Sequence, residues 1–466
     1  MSGFSSLNTA VTGLAAAQRA MDVAGQNIVN ANTAGYSRQR VQLSEVTTAT
    51  SSSFFTGGGT GVAGVTVAGV ARIRDIFVEG ARAAAGARQA SLTGQTAALT
   101  GAQQLLGEPG TTGLQATMDS FYSAWHDLAN NPTDVAAGSV VLQRGVAVTD
   151  QLHTLANGIA GQWSTARASL EDTVTQANQA ARDLADINGK ISAGLVAGRP
   201  VNELMDQRDQ LARNLGTLIG GVATPGQDGQ VSVSVNGVAI VAGTTAQQFT
   251  LAGSTTLGGA SADPPRLMWG TTTVPVDSGS AAGYLAVLGT DLPSLASRVD
   301  GVATSLRDAV NTVHATGFAK DGSPGGPFFA GTDALSLSVV PTSPDQLGIS
   351  PAAGTIDGTV AMNIGDLSDD RVAENTLGGP GPSVQWRDLT TLLGVRVQSL
   401  KNAGDVQDSV VSAADAAVQA DAGVNLDEEM TNMLQYQRAY QAAARVVTTV
   451  DEVLDTLVNR TGMVGR

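Results

Sequence analysis

Two apolar seams, one at each end of the chain, constrain this sequence more than any other feature. Near the C-terminus Met433, Tyr436, Tyr440, Ala443, Val447, Val450, Leu454 and Leu457 recur at alternating steps of three and four residues. That is the period at which one stripe of an α-helix faces a partner helix. Near the N-terminus Phe4, Leu7, Val11, Leu14, Met21 and Ile28 keep the same rhythm, interrupted at Gln18 and Gly25. Such seams need partners: they pack on each other, or on copies of themselves. Periodicity does not separate the two, because both bury the same residues. Gln18, Gly25 and Ala443 at seam positions describe helices that are weakly stable until they meet a partner.

Between the seams the chain changes character several times. Residues 31–75 are polar and glycine-rich and end in a strand-like stretch, Val62, Val65, Val67 and Val70. A long helical region runs from about Asp75 to Gly221, in which Leu170, Thr173, Ala177, Ala180, Leu184, Ile187 and Ile191 hold the heptad spacing. Arg199-Pro200 breaks it before a helix bearing Leu204, Leu211, Leu215 and Leu218 on one side. From Val222 the pattern turns β-like: Val231, Val233 and Val235 alternate with polar residues, and Asn236-Gly237 predicts a tight hairpin turn. A further helix from Leu292 to Val313 interrupts this stretch, Gly- and Pro-rich sequence follows to about Ser383, and helix returns from Trp386 to the end.

Composition excludes several function classes. The formal net charge is −15 and only Lys190, Lys320 and Lys401 are lysines, which argues against a nucleic-acid surface built on clustered cations. No cysteine is present, so disulfides, thiolate zinc sites and a cysteine nucleophile are excluded. No apolar run approaches the ~20 residues that span a bilayer, and the N-terminus does not read as a secretory signal peptide. Aromatics are 4% of the chain, which favours thin cores of Ala and Leu between helices.

No motif reads as an active site. Gly59-Thr60-Gly61-Val62-Ala63-Gly64 matches a dinucleotide-binding string only formally, because no strand precedes it and no helix follows; it reads as a loop. His126, His153 and His314 are far apart and read as structural helix histidines. Asp427-Glu428-Glu429 sits where a helix begins and reads as a complement to the helix dipole. Asp369-Asp370 reads as a solvated loop pair.

Certain strings carry more than their periodicity. Leu7-Asn8-Thr9-Ala10 and the run Gln26-Asn27-Ile28-Val29-Asn30-Ala31-Asn32-Thr33-Ala34-Gly35-Tyr36-Ser37-Arg38 resemble the opening of the bacterial flagellar rod, hook and hook-associated axial proteins. That family usually has proline where this chain has Ala34; Gly35 still supplies the turn. Three further strings are similar to the hook–filament junction members of the family. They are Asn202-Glu203-Leu204-Met205-Asp206-Gln207-Arg208-Asp209-Gln210-Leu211, Asn311-Thr312-Val313-His314 with Phe328-Phe329, and Gly423 to Met430 with Tyr436 to Arg445.

The resemblance implies a structural adaptor, exported unfolded through the flagellar type III channel and assembled as a ring of subunits at the distal end of the hook. Implied partners are other copies of the chain, the hook protein, a second junction protein on the filament side, and a cytoplasmic export chaperone at the C-terminal region. It implies an extracellular place on the flagellum, no membrane or nucleic-acid partner, no cofactor and no enzymatic activity. A hook or distal-rod protein is the alternative within the family. A secreted glycan-acting enzyme is the alternative outside it, and would need two acids about 5–9 Å apart in a cleft of the β-rich middle.

The expected fold is α+β, a long helical rod whose N- and C-terminal helices pair as a coiled coil, with an inserted β-rich outer domain. Residues 1–75 and 425–466 are expected as terminal axial assembly segments, 76–222 and 385–424 as the rod, and 223–384 as the outer domain with an internal helix at about 290–316. Assembly contacts are expected from Leu7, Val11, Leu14, Met21 and Ile28 on the first helix. On the last they are expected from Met433, Tyr436, Tyr440, Val447, Val450, Leu454 and Leu457.

Overall fold

A computed structural model describes residues 3–33, 35–46 and 64–456. Leu457, Ala34 and residues 59–63 of the glycine string lie outside these, as does the side chain of Phe4. The chain opens with α1 (Gly3–Asn30), followed by an antiparallel pair, β1 (Gln39–Glu45) and β2 (Val65–Arg72).

Four helices then build the rod: α2 (Ile76–Leu106), α3 (Leu114–Asn130), α4 (Val135–Val196) and α5 (Asn202–Ile219). Two of them start on an aspartate cap. Asp75 caps α2 by accepting from the Phe77 and Val78 amides at 2.7 and 3.4 Å, and Gly107 ends it with φ 64°. Asp134 caps α4 through the Ala136 amide at 2.8 Å. Helix α4 has 62 residues, about 93 Å at 1.5 Å per residue, and forms the spine. Its buried stripe includes Leu152, Leu155, Ile159, Trp163, Leu170, Ala177 and Leu184, a 3,4 pattern that holds one face against α3, α5 and the elements that follow.

The β structure is small and docks on that spine. Strands β3 (Val222–Pro225), β4 (Val231–Val235), β5 (Val238–Ala242) and β6 (Thr245–Ala246) form an antiparallel sheet in chain order. Asn236 (φ 44°) and Gly237 (φ 83°) supply the two left-handed residues that a two-residue hairpin needs between Val235 and Val238. Val231, Val233 and Val235 point inward. The fully buried Asn188 of α4 clips this sheet by donating to the Val231 and Gly243 carbonyls at 2.8 and 2.7 Å and accepting from the Val231 amide at 3.1 Å. Strand β7 (Thr250–Ala252), the single turn α6 (Leu257–Ala260), β8 (Arg266–Trp269) and β9 (Thr272–Val274) add a three-stranded antiparallel sheet.

After β9 the segment expected as a β-rich outer domain is mostly helical and packs into the rod. Helix α7 (Gly279–Ala286) lies on α2, α4 and α5, and a π turn over Val287–Asp291 leads into α8 (Leu292–His314), which packs on α4. A short strand pair follows, β10 (Phe329–Ala330) and β11 (Ser338–Val339), then α9 (Thr359–Gly365) against α3 and α10 (Asp370–Leu377) against α8. Helix α11 (Pro382–Ala422) returns along α2 and α8, and α12 (Leu426–Asp455) lies along α1.

Several of the scarce aromatics gather at one place. Phe121, Trp125, Phe328 and Phe329 form one edge-to-face cluster between α3 and the loop after α8, with Phe328 and Phe329 rings 4.7 Å apart. Elsewhere the core is mainly Ala, Val, Leu and Ile, with Trp163, Phe249 and Trp386 buried singly.

Candidate assembly interface and the clasps that hold it

The two terminal helices meet through unequal faces. On α12 the described seam positions Met433, Tyr436, Tyr440, Val447, Val450 and Leu454 are all half-buried, while most other positions are exposed. On α1 Leu7, Leu14, Met21 and Ile28 are half-buried and Val11 is 50% exposed. A Cβ at Gly25, a gap in the N-terminal seam, would stand 3.9 Å from the Met433 Cε, so the seams face each other there. The fully buried stripe of α1 is Ala16, Ala17, Ala20, Val23 and Ala24, which sequence reasoning passed over. These small side chains let the β1–β2 pair and α12 approach the same helix together.

Apolar area alone does not fix that arrangement; a polar clasp does. Asn27, one turn from the end of α1 and 1% exposed, donates to the Gln39 carbonyl at 2.9 Å and to Glu429 Oε2 at 3.0 Å. Its Oδ1 accepts from the Tyr36 hydroxyl at 2.8 Å and the Gln39 amide at 2.9 Å. Arg38 closes the ring, donating to Glu429 Oε1 from Nε at 2.8 Å and reaching Glu428 at 3.1 Å. Burial, with Asp206 and Glu429 adding to it, pushes the Tyr36 phenol up to about 12, so it stays a donor. Burial works against the Arg38 charge, but Glu428 and Glu429 outweigh it and raise its pKa.

The acidic string at 427–429 therefore has two roles. Asn425 caps α12 through the Asp427 and Glu428 amides at 3.0 and 3.3 Å, and the helix N-terminus suits the acids. Glu429, however, is 3% exposed and bonded across to α1 and Arg38, which dipole complementation does not account for.

A second clasp ties the β1–β2 pair to the rod. Asp209 of α5 accepts from Arg72 and Arg74 at 2.5 Å each, and from Arg208 at 2.6 Å. Arg72 also bonds Asp206 at 2.8 Å and Ser37 Oγ at 3.2 Å, and Arg74 reaches Glu79. Burial opposes the Asp209 charge, but Arg208, Arg72 and Arg74 prevail and hold its carboxyl below the usual range. Asn202 adds bonds to the Gln39 side chain and the Val70 carbonyl, both at 3.0 Å. The Asp206-Gln207-Arg208-Asp209 string is thus the rod's socket for the terminal segment.

The third string is a clasp of the same kind. Asn311 accepts from the Phe328 and Phe329 amides at 2.8 and 2.9 Å and donates to the Phe329 carbonyl at 2.7 Å. His314, fully buried, sits 2.6 Å from the Gly326 carbonyl through Nδ1 and accepts from the Gly348 amide through Nε2 at 2.9 Å. Its ring is a neutral linker between two loop strands, and burial lowers its pKa.

The remaining motifs are structural. Asp369 is the N-cap of α10, accepting from the Arg371 amide at 2.9 Å, and Asp370 pairs with Arg387; the solvated-loop expectation fails because a helix starts there. His153 contacts the Leu337 carbonyl at 3.0 Å, and His126 lies 3.8 Å from Asp366. Among the described residues no group of three metal-binding side chains gathers, and no helix is long and apolar enough to cross a membrane.

Comparison with known proteins agrees with this layout. Residues 99–329 match the flagellar hook-associated protein FlgK helical domain, residues 7–36 the flagella basal body rod protein family, and residues 419–460 the flagellar basal body rod FlgEFG protein C-terminal family. Flagellar hook-associated protein 1 of Bacillus subtilis is 29% identical over 513 aligned positions, with 100% of both chains covered. Its Escherichia coli counterpart is 27% identical, covering 97% of this chain and 99% of that one. The flagellar hook junction protein FlgK from Burkholderia pseudomallei superposes with a TM-score of 0.64 at 14% identity, over 74% of this chain and 100% of that structure, a likeness of fold. With rod-type segments at both ends, a hook-associated helical domain between them and relatives aligned along nearly the whole chain, this protein is similar throughout to flagellar hook-associated protein 1.

Proposed function

We propose that this chain is the structural adaptor between flagellar hook and filament. In this role several copies form a ring at the distal hook end, after export in an unfolded state through the flagellar channel. The observation that carries the reading is the joining of the two chain ends into one unit, α1 with α12, anchored to the rod by the Asp209 clasp. That unit leaves apolar side chains open, among them Val11 and Val29 on α1 and Met430 and Leu434 on α12, each at least half exposed. An isolated soluble subunit gains nothing from such faces; neighbouring copies and the hook protein would cover them. The filament side would receive a second junction protein, and before export the C-terminal region would be held by a chaperone. The polar clasps suit export, because each forms only when distant segments fold together. The reading assigns no catalytic role, in keeping with the structural flagellar proteins that the chain resembles.

Electron microscopy of a strain lacking this chain tests the reading. Complete hooks without filaments are expected. Filaments of normal number would overturn it, and missing hooks would point instead to a rod or hook protein. Truncation from Met430 onward should leave the rod folded and give the same bare hooks.

A further inference from the structure

The unit formed by α1, β1, β2 and α12 meets the rod without an apolar bridge. The continuous core of the chain runs from Ala98 to Leu400 and takes in no described residue of these four elements, which pack chiefly on one another. What holds them to the rod is polar. Arg72 and Arg74 reach Asp206 and Asp209 of α5, Asn202 bonds the Gln39 side chain and the Val70 carbonyl, and the Arg38 amide donates to the Ala422 carbonyl at 3.3 Å. Two connecting segments, 73–75 and 423–425, complete the joint. It lies where α1 ends and α12 begins, and both helices run away from it.

Beside the joint a cleft of about 1070 Å³ separates α1 from α4 and α5. Arg19, Gln26 and Asn30 form the α1 wall, and Arg19 is the one charge that the terminal unit turns to this cleft among the described residues. The rod wall is acidic once its internal pairs are set aside. Asp186 is matched by Lys190 at 2.6 Å and Asp206 by Arg72 at 2.8 Å. Asp183 and Glu203 are left, both exposed and neither in an ion pair among the described residues; Asp183 accepts from the Gln179 amide group at 2.8 Å. Arg19 likewise enters no ion pair there. An unmatched cation thus stands on one side of the cleft and two unmatched carboxylates on the other.

We propose that the terminal unit swings as one body about the Arg72–Arg74 joint, and that the cleft closes when Arg19 pairs with the acidic rod wall at Glu203 or Asp183. A polar joint permits this because water replaces a lost hydrogen bond nearly in kind, whereas parting an apolar core exposes its surface. Relative motion is the ordinary outcome where two bodies share a polar interface and short connectors. Helix α1 makes the motion large: its 28 residues span about 42 Å, so a turn of about 10° moves the far end by about 7 Å. Closing therefore changes the angle at which α1 and α12 present their exposed faces. The device belongs to the subunit itself and does not depend on the junction reading.

The chain has no cysteine, so two introduced thiols carry spin labels without background. Val11→Cys on α1 and Val196→Cys at the end of α4 replace exposed residues, 50% and 86% accessible. Pulsed electron–electron double resonance on the full-length labelled protein should resolve two distances, open and closed. Arg19→Gln should lower the ratio of closed to open about two- to fivefold, the worth of an exposed ion pair. The double variant Asp183→Asn, Glu203→Gln should do the same while leaving α1 untouched. A single distance, or a spread as wide as an unfolded segment gives, would overturn the hinge. Two distances whose ratio neither variant moves would overturn the latch.

Discussion

Arg38 and Glu429 stand 391 positions apart in the chain and 2.7 Å apart in space. The pair joins the segment after α1 to the first turn of α12, and Asn27 holds the other carboxylate oxygen at 3.0 Å. One glutamate thereby commits both ends of the protein to a single unit.

Replacing it should release that unit locally. Glu429→Ala removes charge-assisted bonds from Arg38 and Asn27, a loss of roughly 2 kcal/mol in the opening free energy of the α1–α12 pair. Hydrogen exchange should accelerate in α1 and α12 and stay unchanged in α4. Unaltered protection of α12 would show that the apolar seam alone suffices.

Asp209 carries a larger share. Asp209→Asn leaves Arg72, Arg74 and Arg208 clustered without their shared anion, a destabilisation of roughly 3–5 kcal/mol for breaking a buried ion cluster. Because the folded carboxyl titrates below its unfolded value of about 3.9, its contribution is complete above that value. It fades as pH falls through the folded one. Wild type should therefore show an acid-labile component of stability that the Asn variant lacks, read from thermal midpoints between pH 3 and 6.

His314 predicts a pH response of the same sign in a higher window. Its folded pKa lies below the unfolded value of about 6.5, so its contribution is complete above 6.5 and falls as pH drops toward the folded value. The loss reaches at most about 1.4 kcal/mol per pH unit. Protonation at Nε2 would set two donors against each other at the Gly348 amide. Urea midpoints measured at pH 8 and pH 5.5 should separate in wild type and converge in His314→Gln; equal separation in both would refute this role.

Two glycines separate close packing from helix propensity. A Cβ on Gly283 of α7 would lie 2.3 Å from the Ser91 carbonyl oxygen of α2, so Gly283→Ala should cost about 1–3 kcal/mol through forced separation of the helices. Gly86 of α2 has nothing within 4 Å of its Cβ site, and Gly86→Ala should stabilise by up to about 1 kcal/mol. Thermal melts of the two variants should move in opposite directions.

What the sequence by itself determined is the set of features that depend on neighbours along the chain. The α12 seam, the break at Arg199-Pro200, the Asn236-Gly237 hairpin and the spine from Leu170 to Ile191 follow from helical or strand period and from local backbone preference. The family strings were legible too, yet their purpose was not: Glu429 read as a dipole partner and Asp206–Asp209 as a motif without a target. Their partners, Arg38 and Arg72, lie hundreds of residues or a whole spine helix away, and no local pattern encodes which charge meets which. The tertiary structure also decided that residues 279–377 pack largely as helices on the rod, that the alanine stripe of α1 is its most buried face, and that the terminal unit meets the rod without an apolar bridge. Burial depends on what a surface meets after folding, and amphipathic period reports only that a surface exists.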